Sequence, residues 1–387
     1  MDQVRFGIVG VGNMGSGHAN NLLAGKVEGG VLTAVCDIVE EKIAKYKDLG
    51  VATYTNIDDM LSSGKIDCLI VSVPHFLHPP FAIKAFEKKI HVVVEKPTGV
   101  YTKQVKEMNE AAKKSGVLFS GMFNMRTSPI FKEMKEIIDN GELGEIKRLN
   151  WIMTAWYRSQ SYYDSGTWRA TWAGEGGGVL FNQCPHNLDL FMWITGLQPK
   201  TVTSKCYFGK WHDIEVEDDV SVFLEYENGA TGIIVSSTGD APGTNRFEIL
   251  GDKGKLVFDG ESYVFYKLNQ SEREFNATYK GGFGEPEATI IHSPLKIDYS
   301  VQHAAVLQNV ANAILGKEEL YIHGEDGLAE CQLADAILLS AWKDKTVTLP
   351  LNDDEYLEEL NKRIATSRQK SVSNDVSFDL ENSFAKK

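Results

Sequence analysis

Cysteine is scarce and unpatterned: five residues in a chain of 387, Cys36, Cys68, Cys184, Cys206 and Cys331, odd in number and with no CxxC pair. That leaves no disulfide framework and no thiol-redox or zinc motif, so the five read as reduced core residues. Nor does any spacing of His, Cys and carboxylates suggest a metal. Long apolar runs are missing too. None approaches the roughly 18 residues that a membrane span needs. The N-terminus opens directly into Val4-Arg5-Phe6-Gly7-Ile8-Val9, without the basic stretch, apolar region and cleavage site of a secretory signal, so a cytoplasmic location is expected. Positive charge is in deficit, with 40 Lys and Arg against 53 Asp and Glu and a net charge of −13. A phosphate backbone is normally bound by a basic face, so no nucleic acid is expected as a partner.

What is present is an ordinary globular balance, 43% hydrophobic and 24% charged, over a length that suits two domains. From Val4 to about Phe123, short β-branched runs (Val4–Val9, Val31–Cys36, Asp67–Val73, His91–Val94, Val117–Phe123) alternate with helical stretches (Met14–Leu23, Val39–Lys47, Pro80–Lys88, Lys103–Ser115). Strands without alternation are buried on both faces, and helical crossovers between them make a parallel sheet. The fold class is therefore α/β, with a doubly wound Rossmann domain over residues 1–125. After a helix at Pro129–Asp139 the rhythm changes. Val220–Glu227 and Ala230–Ser236 flank Asn228-Gly229, a hairpin signal. Lys200–Phe208, Arg246–Leu250, Lys255–Phe258 and Tyr263–Leu268 extend an antiparallel sheet, expected to be covered by helices at His186–Ile194, Val301–Leu315 and Gly327–Trp342. This gives an α+β second domain over 126–350 with a large open sheet. A polar helix (Asp354–Ile364) and a Ser/Asn/Lys-rich tail fill 351–387, the tail loose or packed on a neighbouring subunit. The open sheet and aromatic surface point to a homodimer or tetramer.

Gly10-Val11-Gly12-Asn13-Met14-Gly15 closes the first strand and opens the first helix. A GxGxxG in that context permits a tight turn and brings a pyrophosphate onto free helix N–H groups. Asp37 ends the second strand, 22 residues after Gly15. A carboxylate there accepts ribose hydroxyls and repels a 2′-phosphate, and Ile38-Val39-Glu40-Glu41 offers no cation to neutralise one, so NAD is favoured over NADP. Capping the next helix is the other role open to Asp37.

His91–Val94 runs into Glu95-Lys96-Pro97, and a lysine at the carboxyl end of a parallel strand faces the ligand crevice. Pro97 lacks an N–H and stops the pairing there. Together with the glycine loop, this segment resembles the Gfo/Idh/MocA oxidoreductase family (glucose–fructose oxidoreductase, inositol dehydrogenase and relatives). Val73-Pro74-x-x-x-His78, Asn124-Met125-Arg126, the run from Gly176-Gly177-Gly178 through Asn182 to His186 and Asp189, and the turn Gly251-Asp252-Lys253-Gly254 extend the likeness over about residues 4–345. The resemblance implies a nicotinamide across the crevice, substrate between it and the second sheet, and Lys96 and His186 as the catalytic pair. The imidazole would take the alcohol proton while the ammonium holds the reacting oxygen. Pro74, His75, His78, Glu95 and Asn124 are expected beside the cofactor, His78 also as a helix cap. Many relatives carry Asp where this chain has Asn182. An amide supplies no charge, so two roles are open to Asp189, one turn beyond His186: orienting the imidazole, or a structural ion pair.

The segment Trp151–Trp172 is rich in aromatics and arginine, a composition suited to sugar rings. Arg126, Tyr157, Arg158, Tyr163, Trp168, Asn182 and His186 are the expected substrate contacts, although the aromatics equally suit packing beneath the sheet. Three readings follow. The chain is an NAD-dependent dehydrogenase of a ring secondary hydroxyl (C3 being one candidate) in a sugar, cyclitol or glycoside. Alternatively it retains NAD and cleaves a bond by transient oxidation, or it is a non-catalytic NAD- or sugar-sensing regulator.

Overall fold

The computed structural model describes residues 2–298 and 302–370, built around two sheets. The first comprises β1 (Val4–Val9), β2 (Gly30–Cys36), β3 (Ala52–Tyr54), β4 (Cys68–Val71), β5 (His91–Val94) and β6 (Phe119–Gly121). Its order is β3-β2-β1-β4-β5-β6 and every pairing is parallel. Val4, Phe6, Ile8, Cys68, Leu69, Ile70 and Val71 are fully buried, as strands covered on both faces require. The order reverses between β1 and β4, which opens a crevice at their carboxyl ends. The short edge strand β3 was not anticipated; three half-buried residues carry no periodicity to detect.

The second sheet comprises β7 (Ile146–Met153), β8 (Thr201–Phe208), β9 (Glu217–Glu225), β10 (Thr231–Ser237), β11 (Asn245–Gly251), β12 (Gly254–Phe258), β13 (Tyr263–Leu268), β14 (Ala288–His292) and β15 (Val347–Thr348). It runs β14-β13-β12-β11-β7-β10-β9-β8-β15, antiparallel apart from the β7–β10 pair. Gly229, at φ 81°, turns the β9–β10 hairpin in the left-handed region open to glycine. Val220, Val222 and Leu224 point inward while Ser221, Phe223 and Glu225 point out. The inner face packs against helices Pro129–Asp139, Pro185–Thr195 and Gly327–Lys343. Trp151 is fully buried there, stacked on Phe247 at 4.2 Å.

One helix sits elsewhere than expected. Gln302–Ile314 does not cover the second sheet; its Val306, Leu307, Val310 and Ala311 enter the core of the first domain with Val4, Phe6 and Ile8. Helical periodicity specifies that a face is buried, not what it is buried against. Val301, where that helix was expected to begin, lies outside the described residues, as does the polar tail beyond Lys370. The helix Asp353–Ile364 is capped by Asn352, which accepts the N–H groups of Asp354 and Glu355, and is anchored by buried Tyr356 and Leu360. All five cysteines are free. Among the described residues, no helix is long and apolar enough to cross a membrane.

Candidate active site

The glycine loop follows directly from steric necessity. Gly10 has φ 84°, and a Cβ there would lie 2.2 Å from the Ser72 carbonyl oxygen. A Cβ on Gly15 would meet the Gly10 carbonyl oxygen at 1.9 Å, whereas one on Gly12 meets nothing within 4 Å. Two glycines thus permit close packing, and the third faces open space. Gly12 also caps the Asn13–Leu23 helix with no side-chain partner for its first N–H groups, which leaves them available to an anion. Asp37 ties the loop down: its carboxylate accepts Val11 N–H at 2.9 Å and Val39 N–H at 3.0 Å. One lone pair per oxygen remains for a further donor, so this loop and carboxylate fit a dinucleotide.

Beside the loop, Lys96 leaves the end of β5 and donates its Nζ hydrogen to the Asn182 carbonyl oxygen at 2.7 Å. That bond crosses from the first domain to the segment leading into the Pro185–Thr195 helix. Burial pushes the ammonium below its usual pKa, with Glu95, Glu330 and Glu175 pulling it back up. His186, in the first turn of that helix, is 7% exposed, and its Nδ1 is buried without a partner. Burial first, then Lys96 and His303, hold its pKa well below the ordinary histidine value. The two side chains expected to act together are therefore within electrostatic reach, and the protonated imidazole is disfavoured.

Three further groups complete the cluster. Glu95 accepts His18 Nε2–H at 2.6 Å, and although burial opposes its ionisation, His18 holds its pKa down to about 2. His303, from the relocated helix, meets His18 edge to face at 5.7 Å, and burial lowers its pKa to about 4. Sequence reasoning missed His18 and His303. His18 lies one turn beyond Gly15 in the glycine helix, a usable signal; His303 had none, since its helix is remote in sequence.

The other expected residues divide into two groups. His75 donates from Nδ1 to the Glu175 carbonyl at 3.2 Å and packs edge-on to Trp168 at 5.5 Å, both at the crevice. His78 turns its two ring nitrogens to the Pro97 and Val73 carbonyls, at 2.7 and 2.8 Å, locking the loop after β4 to the turn after β5. Pro74 begins that loop as the N-cap of the His75–Leu77 turn. Asn124 donates to Gln302 at 2.9 Å and keeps a buried, unpartnered Oδ1. The guanidinium of Arg158 acts on Lys96 electrostatically and lies over the rings of Trp156 and Tyr162.

Arg126, Tyr163 and Tyr157 are disposed differently from expectation. Arg126 is 5% exposed, paired through Nε with Asp189 at 2.8 Å and through Nη1 with Asp326 at 2.6 Å, and flanked by the rings of Phe123 and Trp193. Its donors are committed to protein carboxylates rather than to a ligand. This also decides between the roles open to Asp189: it forms the ion pair. Tyr163 is buried and donates to Thr238 Oγ1 at 2.7 Å, so it packs the wall. Tyr157 is 52% exposed, on the rim. Glu217, fully buried, accepts Gly178 N–H and Leu180 N–H at 2.8 and 3.0 Å and so seats the triple-glycine segment that precedes His186.

Comparison with known proteins gives the family. The profile described as an oxidoreductase family with an NAD-binding Rossmann fold matches residues 4–123, and that of the GFO/IDH/MocA C-terminal domain matches residues 131–257. The chain belongs to the Gfo/Idh/MocA oxidoreductase family. It is 24% identical over 355 residues to a myo-inositol 2-dehydrogenase of Thermotoga maritima, spanning 89% of this chain and 98% of that protein. It is 25% identical over 380 residues to a 2,7-anhydro-N-acetylneuraminate hydratase of Escherichia coli, spanning 89% and 97%. The WlbA dehydrogenase of Bordetella pertussis, solved with NADH and UDP-GlcNAcA, superimposes with a TM-score of 0.75 at 27% identity, over 90% of this chain and 100% of that one. The chain is thus an oxidoreductase with an NAD-binding Rossmann domain.

Proposed function

We propose that this family member is an NAD-dependent dehydrogenase of a ring secondary hydroxyl in a sugar, cyclitol or glycoside. The observation that carries the reading is the hydrogen bond that holds Lys96 Nζ to Asn182, four residues before His186, an imidazole whose protonation is disfavoured by burial and by Lys96. The Gly10–Gly15 loop and Asp37 would hold NAD, which would supply the two-electron acceptor. Lys96 donates to the carbinol oxygen and stabilises the negative charge that grows there. His186 would take the hydroxyl proton; its Nδ1 has no hydrogen-bond partner among the described residues. His75 and Trp168, in edge-to-face contact, would form one wall of the substrate space, with Arg158 acting on Lys96 from the aromatic segment. The test is a panel of pyranoses, cyclitols and glycosides offered with NAD. Stoichiometric NADH formation with at least one ring alcohol supports the reading; none across the panel opposes it.

A second reading rests on the hydratase among the relatives: the same pair would move the proton while bound NAD would accept a hydride and later return it, so that a bond is cleaved or water added with no net NADH. Product analysis by chromatography on the same panel separates the two.

Cofactor choice rests on Asp37. Activity with NAD is expected to exceed that with NADP, because the carboxylate repels a 2′-phosphate. Asp37→Ser is expected to lower kcat/KM for NAD by about tenfold or more, the scale of losing charge-assisted hydrogen bonds, while narrowing the gap to NADP. Strong turnover with NADP alone would overturn the assignment.

The chain is also proposed to self-associate through the outer face of the second sheet. Ile152, Phe223, Ile233 and Leu250 are each 37–44% exposed on the face opposite the helices, with Phe223 and Ile233 directly paired across β9 and β10. A second copy would bury the cluster of Phe223, Ile233 and the diagonal neighbour Ile152; Leu250 stands apart beside Arg148, and a single exposed apolar residue is ordinary. Phe223→Lys combined with Ile233→Lys is expected to halve the mass measured by light scattering, and an unchanged mass would rule this face out.

A further inference from the structure

Of the buried carboxylates that face Lys96, Glu175 is the one joined by hydrogen bonds to the residue that receives its Nζ. Glu175, 1% exposed, precedes the triple-glycine segment and sits behind Asn182. Its Oε2 accepts Ala170 N–H at 2.6 Å, and its Oε1 accepts the side-chain amide of Asn182. The Asn182 Oδ1 accepts Tyr162 Oη–H at 3.0 Å and Gln183 Nε2–H at 3.1 Å. Arg169 then donates to the Tyr162 oxygen at 2.6 Å and lies 3.9 Å from Glu175, which closes a ring of four side chains. A carboxylate only accepts, so Glu175 dictates which end of the amide faces it and hence the rotation of Asn182. The main-chain carbonyl of this same residue receives Lys96 Nζ.

We propose that Glu175, acting through Asn182, is the positioning carboxylate of Lys96. The chain has an amide at 182, on the element that leads to His186, and the carboxyl stands one hydrogen bond further back, its pKa pushed up by burial and pulled down by Arg169, Ala170 N–H and Asn182. Two consequences follow. The charge helps keep the ammonium protonated from a place where substrate does not reach it. The residue that contacts Lys96 stays neutral, so the ammonium is held by a carbonyl and remains a donor to the reacting oxygen instead of being neutralised in a direct ion pair. Asp at 182 would set two carboxylates against each other and raise the pKa of one. This inference rests on the reading of Lys96 and His186 as the reacting pair, but its test does not.

The groups that face Lys96 are Glu95 from β5, Glu175 from its loop, Glu330 from the Gly327–Lys343 helix and Arg158 from the aromatic segment. His75, His186 and His303 feel its charge in turn. Lys96 is therefore titrated directly, in the full-length protein, by acetic anhydride labelling across a pH series with peptide mass spectrometry. Glu175→Gln removes one negative charge and is expected to speed Lys96 labelling about threefold at a fixed pH below its pKa, the equivalent of half a pH unit. At the alkaline end of the series, where both carboxyls of the facing pair are ionised, Asn182→Asp adds one and is expected to slow labelling about threefold. The double variant E175Q/N182D restores the charge and reverses the donor and acceptor of the same hydrogen bond, so its labelling profile is expected to return to that of the parent. A purely structural Glu175 would show no such restoration. Failure of the double variant to recover, or an unchanged profile in Asn182→Asp, overturns the proposal. Should Glu175→Gln fail to fold, as judged by thermal unfolding and NADH fluorescence titration, Asn182→Asp alone carries the test. If Lys96→Met retains turnover, the functional reading fails while the labelling result stands; if it loses turnover and the labelling order is not obeyed, only this inference fails.

Discussion

Lys96→Met is expected to lower turnover by about 10³-fold, the upper scale for removing one preorganised donor at a developing oxyanion, with NADH affinity changed little. Methionine keeps the unbranched stem and fills the space, so the loss isolates the charge and the hydrogen bond. The expected split is in kcat rather than KM, since the donor gains most when negative charge accumulates on the oxygen. Steady-state turnover and NADH fluorescence titration measure the two arms. Retained turnover would mean that the Lys96–Asn182 bond is only an interdomain tie.

His186→Ala is expected to lower turnover by at least about 100-fold, the lower scale of lost general-base catalysis, again with NADH binding intact. The pH profile of the parent enzyme carries the same claim with a definite sign. A base works in its neutral form, and burial, Lys96 and His303 all disfavour the protonated form of His186, with Glu95 opposing. On the acid side, kcat/KM is therefore expected to hold level down through the usual histidine pKa of about 6.5 and to fall only well below it. An acid limb centred at or above that value would contradict a neutral, buried imidazole.

What the sequence revealed depended on how local each requirement is. The glycine loop was legible because Gly10 and Gly15 answer steric demands within one strand–helix turn, and Lys96 because a strand end points a side chain into the crevice. The ends of β5 and β13 were legible because breaker residues bound them. The central strand β7 was not: its only sequence-near signal, the alternation of Leu149, Trp151 and Met153, merges into an aromatic stretch, and its partner β10 is parallel and distant. The destination of the helix Gln302–Ile314 was hidden for the same reason, and with it His303. The pairing of Arg126 with Asp189 shows the limit of helical spacing. Asp189 shares a helix face with His186, yet its carboxylate turns to a guanidinium from another segment, because a buried arginine must be neutralised by whatever carboxylate surrounds it. Glu175 went unnoticed since a carboxylate beside glycines has no pattern of its own; only the folded ring through Tyr162 and Arg169 gives it meaning.

The most direct measurement of the central claim is a crystal structure with NADH and a substrate drawn from the panel. One hydroxyl oxygen borne on a ring carbon is expected within about 2.6–3.2 Å of both the Lys96 Nζ and an imidazole nitrogen of His186. A substrate bound elsewhere on the aromatic segment, with its hydroxyls beyond reach of either group, would contradict it.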